Sequence, residues 1–216
     1  MIGRKFYCVI LATLPCFLIA ACVQYRIKDV PYSPPFDHSF IKKIAVVEFS
    51  NYTGREDAGT IVPDQIEQLL VSRSGYEVFS RMQLGQLLRE HRLSSRGILS
   101  PSTVRRIGQL SGVDALVVGN VVKFQLTEDE KKKGLLWFKK RMALVVFTFK
   151  VLNTRTGQVV FSKTATGTWW RQAMEGRYYE LDEESDYEYM GRALRSAVYR
   201  VSEIYPHIQK VRVRVN

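Results

Sequence analysis

The sequence predicts a single α/β domain whose mixed sheet is flanked by helices, and three observations lead to this prediction. In the first half of the domain, short apolar runs alternate with segments of helical periodicity, as in strands joined by right-handed crossovers. In the second half, strand-like segments on either side of a turn at 153–157 indicate an antiparallel hairpin. A long amphipathic segment follows, so the predicted order is β-α-β-α-α-β-β-β-α.

The first strand and the first helix open the predicted domain. The run at 42–49 is nearly continuously apolar, as expected of a strand that is buried on both faces. Val62, Ile66 and Leu70 then recur at helical spacing. Pro63 suits the first turn of this helix, because the N–H that proline lacks would have no partner within the helix there.

A second strand at 76–79 leads into two further predicted helices. Leu84 and Leu88 mark the apolar face of the first of them. The next helix begins at Ser100, because a serine cap followed by proline is a strong helix start. Gly112 is expected to end it.

The remaining elements are three strands and a helix. Strands are predicted at 115–124, 142–152 and 158–167, where β-branched and aromatic residues dominate. The last helix is expected to begin after Ser185, because Glu188 stands at the spacing of a capping box.

The first 22 residues predict an exported protein with a lipid anchor. Arg4 and Lys5 precede an uncharged apolar stretch at 6–21, which ends in Ile19-Ala20-Ala21-Cys22. This pattern resembles a bacterial lipoprotein signal, and the resemblance implies that cleavage leaves Cys22 as an acylated N-terminal residue, palmitate being one such acyl group. The alternative is an uncleaved anchor, but the stretch is shorter than the ~20 residues that a spanning helix needs.

The sequence therefore divides into a signal peptide at 1–21, the lipidated cysteine and a proline-rich tether at 22–40, and a domain at 41–216. Three prolines between 31 and 35 favour extended backbone, which predicts a semi-rigid spacer. All three cysteines lie in the signal or at its end, so we expect the domain to fold without a disulfide.

The chain is strongly basic, with a formal net charge of +11. Such a charge favours anionic partners, and export argues for lipid headgroups or an acidic envelope partner rather than nucleic acid. A general contribution of this charge to solubility remains an open alternative.

Several separated blocks of this sequence resemble the CsgG family: 44–49 with 51–54, 79–90, 107–119 and 151–160. The resemblance implies a CsgG-like periplasmic domain in a lipoprotein that faces the periplasm from the outer membrane. It also implies a non-enzymatic assembly or protein-interaction module of secretion or envelope biogenesis. The alternative that it leaves open is a subunit of an oligomeric outer-membrane secretion channel for curli-like fibres.

The channel alternative depends on two membrane hairpins, which the resemblance places at 125–141 and 168–186. A membrane-spanning strand needs about nine to eleven residues, so the first segment is too short for two strands unless its flanking strands contribute. Carboxylates interrupt the second segment, whereas a strand that faces lipid would carry apolar residues at every second position. We therefore expect that the domain does not form a pore by itself.

A cationic segment with an apolar tip is the candidate contact site. It consists of Lys131, Lys132, Lys133, Trp137, Phe138, Lys139, Lys140 and Arg141, with Leu135 and Leu136 at the tip. We expect a loop that contacts an anionic membrane surface. Contact with a partner protein or a neighbouring subunit, and a loop folded back on the domain, are the alternatives.

No motif for catalysis or metal binding is found in the sequence. The three histidines are scattered, and the P-loop, Cys-x-x-Cys and His-Glu-x-x-His patterns are missing. The acidic residues at 180–188 lack the spacing of an EF-hand. We expect no enzyme activity and no cofactor. The expected partners are the membrane, through the lipid anchor, and other envelope proteins or further copies of this chain.

Overall fold

The computed structural model describes residues 24–93 and 99–215. Cys22 and the predicted signal peptide lie outside the described residues. The strands are β1 Gln24–Tyr32, β2 Lys43–Val46, β3 Ser50–Asn51, β4 Glu77–Phe79, β5 Ala115–Lys133, β6 Leu136–Asn153, β7 Val159–Met174 and β8 His207–Val215. The helices are α1 Ala58–Arg73, α2 Arg81–Glu90, α3 Pro101–Ser111, α4 Tyr179–Asp182, α5 Asp186–Val198 and a 3₁₀ helix at Tyr199–Ile204.

The described chain divides into two compact units. Among the described residues, the smaller unit comprises 24–30 and 210–215. In it, β1 pairs with β8 as a two-stranded sheet. The sequence analysis assigned residues 24–32 to the spacer, and the structure places them in β1. The larger unit, 31–209, contains all the other elements.

The main sheet of the larger unit is mixed, as the sequence predicted. Its strand order is β4-β2-β5-β6-β7, and β3 adds to β5. The pairings of β2 with β4 and β5 are parallel, whereas β5-β6-β7 is an antiparallel meander. The predicted order of strands and helices is confirmed, because β2, α1, β4, α2, α3, β5, β6, β7 and α5 follow one another as expected.

The predicted ends of α3 and the predicted start of α5 match the observed caps, whereas the predicted start of α1 is wrong, because that helix begins at Ala58 and Pro63 lies inside it rather than in its first turn. The Ser100 hydroxyl accepts a hydrogen bond from the backbone N–H of Thr103, and Gly112 ends α3 with a left-handed φ of 69°. At α5, Ser185 and Glu188 form a reciprocal capping box. These contacts are local in sequence, which is why their pattern could be recognised without the tertiary structure.

Two apolar cores lie on opposite faces of the sheet. The larger core packs alternate residues of β5 and β6, among them Val117, Phe147 and Phe149, against α1, α5 and the 3₁₀ helix. The smaller core packs Leu116 and Leu152 against α2 and α3. Burial of these side chains is the main stabilising contribution, at roughly 25 cal/mol for each Å² removed from water.

The predicted loop at 131–141 is wrong. The structure continues β5 and β6 as one hairpin whose pairing reaches Lys133 and Leu136, with a turn at Gly134. At the tip of the hairpin the side chains on both faces are exposed, so the sequence there lacks the alternation of apolar and polar residues that normally indicates a strand. Antiparallel backbone pairing and cross-strand charge contacts hold it instead.

The segment at 168–186 forms no second hairpin. It consists of the end of β7, the short helix α4 and the cap of α5. Among the described residues, no helix has the length and apolar character that crossing a membrane requires.

Candidate contact surface at the hairpin tip

The tip of the β5–β6 hairpin exposes apolar side chains to solvent. Leu135 is 94% exposed, and Leu136 and Trp137 are about half exposed. Gly134 allows the tight turn because its φ is 62°, in the left-handed region that glycine adopts readily. We call residues 131–137 the hairpin tip.

Lysines stack on the aromatic residues of the tip. The Lys132 ammonium lies 5.5 Å from the centre of the Trp137 ring, and Lys133 lies 5.8 Å from that of Phe138. Lys131 is exposed, 3.8 Å from Asp129. The tip therefore presents cations next to apolar side chains, which is the combination that suits the interface of an anionic bilayer.

Among the described residues, Lys139 forms an ion pair with a carboxylate of the same chain, unlike Lys132 and Lys133 of the tip. Its ammonium lies 2.8 Å from the Glu128 carboxylate on the opposite strand. The hydrogen bond from Lys139 lowers the pKa of Glu128, and the charge of Arg141 lowers it further. This ion pair is therefore an internal contact of the hairpin and not a contact with an external partner.

Lys140 and Trp170 form a third stacked pair, across β6 and β7. The ammonium lies 4.8 Å from the ring centre, and Trp170 is 54% exposed. The neighbouring Trp169 points to the other side of the sheet, where its indole N–H donates to Glu184 at 3.2 Å. The two tryptophans therefore lie in different environments, Trp170 on an exposed surface and Trp169 in internal packing.

Arg141 is buried, with 8% of its surface exposed. Its guanidinium donates to the carbonyl oxygens of Leu181 and Glu184 at 2.9 and 3.1 Å, and it pairs with Asp186. It also stacks on Tyr189, 4.8 Å from the ring centre. Arg141 therefore fastens the α4 region to the hairpin, and we leave it out of the contact surface.

The burial of Arg141 was missed by the sequence reasoning, although one signal for it exists. Arg141 stands in the same alternation as Ala143, Val145 and Phe147, all of which are buried on the α5 side of β6. Extending that alternation towards the N-terminus of β6 would have placed Arg141 inside and Lys140 outside.

Within 24–93 and 99–215, no cluster of three or more His, Cys, Asp or Glu side chains is arranged to hold a metal ion. The positioned charges include ion pairs of the fold and the cations at the tip.

Comparison with known proteins agrees with the fold. The family model of the curli production assembly/transport component CsgG matches residues 37–211. No curated protein sequence matches the chain. The solved structures that are similar to this chain are distant from it in sequence.

Three of these structures show the range of similarity. The PelC dodecamer from Paraburkholderia phytofirmans is 17% identical over 85% of this chain and 99% of that chain, with a TM-score of 0.49. Lipoprotein GNA1162 from Neisseria meningitidis is 14% identical over 74% and 97%, with a TM-score of 0.47. The LpoB C-terminal domain from Salmonella enterica is 12% identical over 61% and 86%, with a TM-score of 0.44. Because the family model spans most of the sequence, the chain belongs to the CsgG family.

Proposed function

We propose that this chain is a non-enzymatic lipoprotein of the bacterial cell envelope that acts as an assembly and protein-interaction module. The observation that carries the proposal is the match of residues 37–211 to an assembly and transport family. In this proposal Cys22 anchors the protein in the outer membrane and the domain faces the periplasm. The exposed cationic tip supports a role in surface contact, because it combines lysines with apolar side chains.

One feature of the structure favours the channel alternative, and another argues against it. The strands β5 and β6 contain 19 and 18 residues, so the flanking strands do extend the first candidate hairpin. However, the second candidate segment contains the helix α4 rather than a strand pair. An assembly role therefore remains the function that we propose.

The Cys22→Ser variant of the full chain is expected to lose lipidation. Serine has no thiol to acylate, so the variant should remain unprocessed or leave the membrane fraction. Fractionation and intact mass measure this change. Cys16→Ser is the matched control, because Cys16 lies within the apolar stretch of the signal, and this variant should behave like the original chain. Unchanged mass and membrane fractionation of the Cys22→Ser variant would contradict the lipid anchor.

Replacing Lys131, Lys132 and Lys133 by Gln is expected to weaken binding to anionic vesicles by about tenfold or more. Each lysine near an anionic surface contributes attraction that salt screens, so raising the salt concentration should weaken the binding of the original protein as well. The measurement is co-sedimentation of residues 23–216, which lack the lipid, with vesicles of anionic or zwitterionic lipid.

The control for this experiment removes the same charge elsewhere. Arg73, Arg106 and Arg200 are exposed and lie on three different helical segments, so their replacement by Gln should have little effect. Equal loss of binding in both variants would show that net charge alone attracts the protein. Binding that is insensitive to salt would also overturn the proposed role of the tip.

A further inference from the structure

The smaller unit of the described chain is a two-stranded ribbon with exposed side chains on both faces. We call residues 24–30 of β1 and 210–215 of β8 the terminal ribbon. Tyr25 and Ile27 are 58% and 65% exposed, and Val211 is 37% exposed. A two-stranded sheet by itself is at best marginally stable in water. The terminal ribbon therefore gains little from burial within its own unit and presents its side chains to an external surface.

The terminal ribbon is strongly cationic. Asp29 is its single acid, against five basic residues. These five are Arg26, Lys28, Lys210, Arg212 and Arg214. Within the described residues, Arg26, Lys28 and Lys210 have no ion-pair partner. Positive charge that no carboxylate neutralises attracts an anionic partner, and salt screens the attraction.

One face of the terminal ribbon combines apolar and cationic side chains. The Arg212 guanidinium lies 5.9 Å from the centre of the Tyr25 ring, so these two residues share a face. Because every second side chain of a strand points the same way, Ile27, Asp29 and Lys210 belong to this face, which we call the Tyr25 face. Exposed apolar groups next to cations suit the interface of an anionic bilayer.

The order of the sequence puts the terminal ribbon next to the proposed lipid anchor. Tyr25 is three residues after Cys22, and three residues of chain span at most about 10 Å. The Debye length at physiological ionic strength is about 8 Å, so charges at this distance from lipid headgroups still interact with them. An acyl anchor also makes the contact intramolecular, and a surface contact too weak to bind by itself then becomes populated.

We propose that the Tyr25 face of the terminal ribbon lies on an anionic lipid surface, in the membrane that holds Cys22. Tyr25 and Ile27 enter the headgroup region, and Lys210 and Arg212 meet the anionic headgroups. The proposal rests on the lipid anchor and goes beyond it, because an anchor alone does not select the side chains that touch the bilayer. It concerns a different surface from the hairpin tip, which belongs to the larger unit.

The test places an environment-sensitive fluorophore on the terminal ribbon of the full chain. The native cysteines are at 8, 16 and 22. In the processed lipoprotein, Cys22 is acylated and unreactive, so Ile27→Cys supplies the one thiol for labelling. The protein is reconstituted into zwitterionic vesicles or into vesicles that also contain phosphatidylglycerol. We expect the emission of the label to shift to the blue in the anionic vesicles and to change little in the zwitterionic ones.

Val211→Cys is the matched control within the terminal ribbon. Val211 stands between Lys210 and Arg212, so alternation directs its side chain to the opposite face. A label at this position should remain in a more polar environment than a label at 27. Equal emission changes at the two positions would overturn the contact through the Tyr25 face.

Charge variants test the electrostatic part of the contact. The ribbon variant replaces exposed basic residues by Gln, namely Arg26, Lys28, Lys210 and Arg212. The control variant does the same to one exposed arginine in each of four helical segments, namely Arg73, Arg89, Arg106 and Arg200. The ribbon variant should lower the equilibrium constant for contact, read from the emission of the label at 27, by about tenfold or more. Added salt should act in the same direction. Equal loss in both variants would overturn the proposal, because net charge alone would then govern the contact.

Vesicle flotation separates this proposal from the lipid anchor. A protein that does not float with zwitterionic vesicles would contradict the anchor, and labelled residues 23–216 with anionic vesicles would then decide the ribbon contact. An unchanged label at 27 in anionic vesicles, in a protein that floats, would overturn the ribbon contact alone. Gln at Lys131, Lys132 and Lys133 should leave this label unaffected; loss of its blue shift there would assign the contact to the hairpin tip instead. Unchanged circular dichroism melting curves confirm that the variants are folded.

Discussion

The Arg141→Ala variant is expected to lose about 3 kcal/mol of its free energy of unfolding. The buried guanidinium donates to the carbonyl oxygens of Leu181 and Glu184 and pairs with Asp186. Alanine would leave these acceptors without their donor and would remove the cation that stacks on the Tyr189 ring. The loss of the donor is costly for the carbonyl oxygen of Leu181, because that hydrogen bond is buried.

Chemical denaturation followed by circular dichroism measures this change. Arg141→Lys should recover only part of the loss, because an ammonium cannot reproduce the fork of a guanidinium. Arg177→Ala is the control, since Arg177 is exposed and pairs with Glu180 across solvent. We expect it to change the free energy of unfolding by less than about 0.5 kcal/mol.

Hydrogen exchange provides a second readout for Arg141. The backbone amides of 178–186 should exchange faster in the Arg141→Ala variant, because the α4 region loses its attachment to the hairpin. Unchanged exchange there, or a loss of stability equal to that of Arg177→Ala, would show that Arg141 does not hold this region.

The Gly167→Ala variant is expected to lose about 3 kcal/mol or more. A methyl group at Gly167 would lie 2.0 Å from the carbonyl oxygen of Ala193 and 2.4 Å from the backbone nitrogen of Ala197. Both atoms belong to the backbone of α5, so a change of rotamer cannot relieve the clash. The helix would have to move away from β7 and would lose contact with the larger core.

Thermal unfolding measures the effect of Gly167→Ala, with an expected fall in melting temperature of about 6–12 °C. Thr168→Ala is the matched control, because Thr168 is the next residue on β7 and its side chain is exposed. It should leave the melting temperature nearly unchanged. Adding Ala197→Gly should not rescue the Gly167→Ala variant, because the closest atom belongs to the backbone of Ala193. An unchanged melting temperature would disprove the close approach of α5 and β7.

Local signals account for the parts of the fold that could be predicted. The cap at Ser100, the left-handed Gly112 and the capping box of Ser185 with Glu188 each involve residues within one turn of a helix. The apolar runs of β2 and β5 are buried on both faces of the sheet and have the continuous pattern expected there.

The distal hairpin could not be predicted because its stability does not come from burial. Between Glu128 and Lys139, and again between Lys132 and Trp137, the stabilising contacts are made across strands, so periodicity along a single strand does not reveal them. A run of lysines and acids indicates a loop when hydrophobic periodicity is the criterion. Backbone pairing continues through such a run once the neighbouring strands have aligned the register.

For the candidate site, the sequence alone determined the residue types, the cationic and aromatic composition of 131–141 and the motif at Cys22, since these depend only on the order of residues. Tertiary structure decided which of these side chains are available. The pleat of β6 directs Arg141 to the buried side and Lys140 to the opposite side, although the two are neighbours in sequence. The tertiary structure also places α4 against the hairpin, where Arg141 contacts Leu181, 40 residues further along the chain. Packing joins such surfaces although their separation in sequence carries no periodic signal.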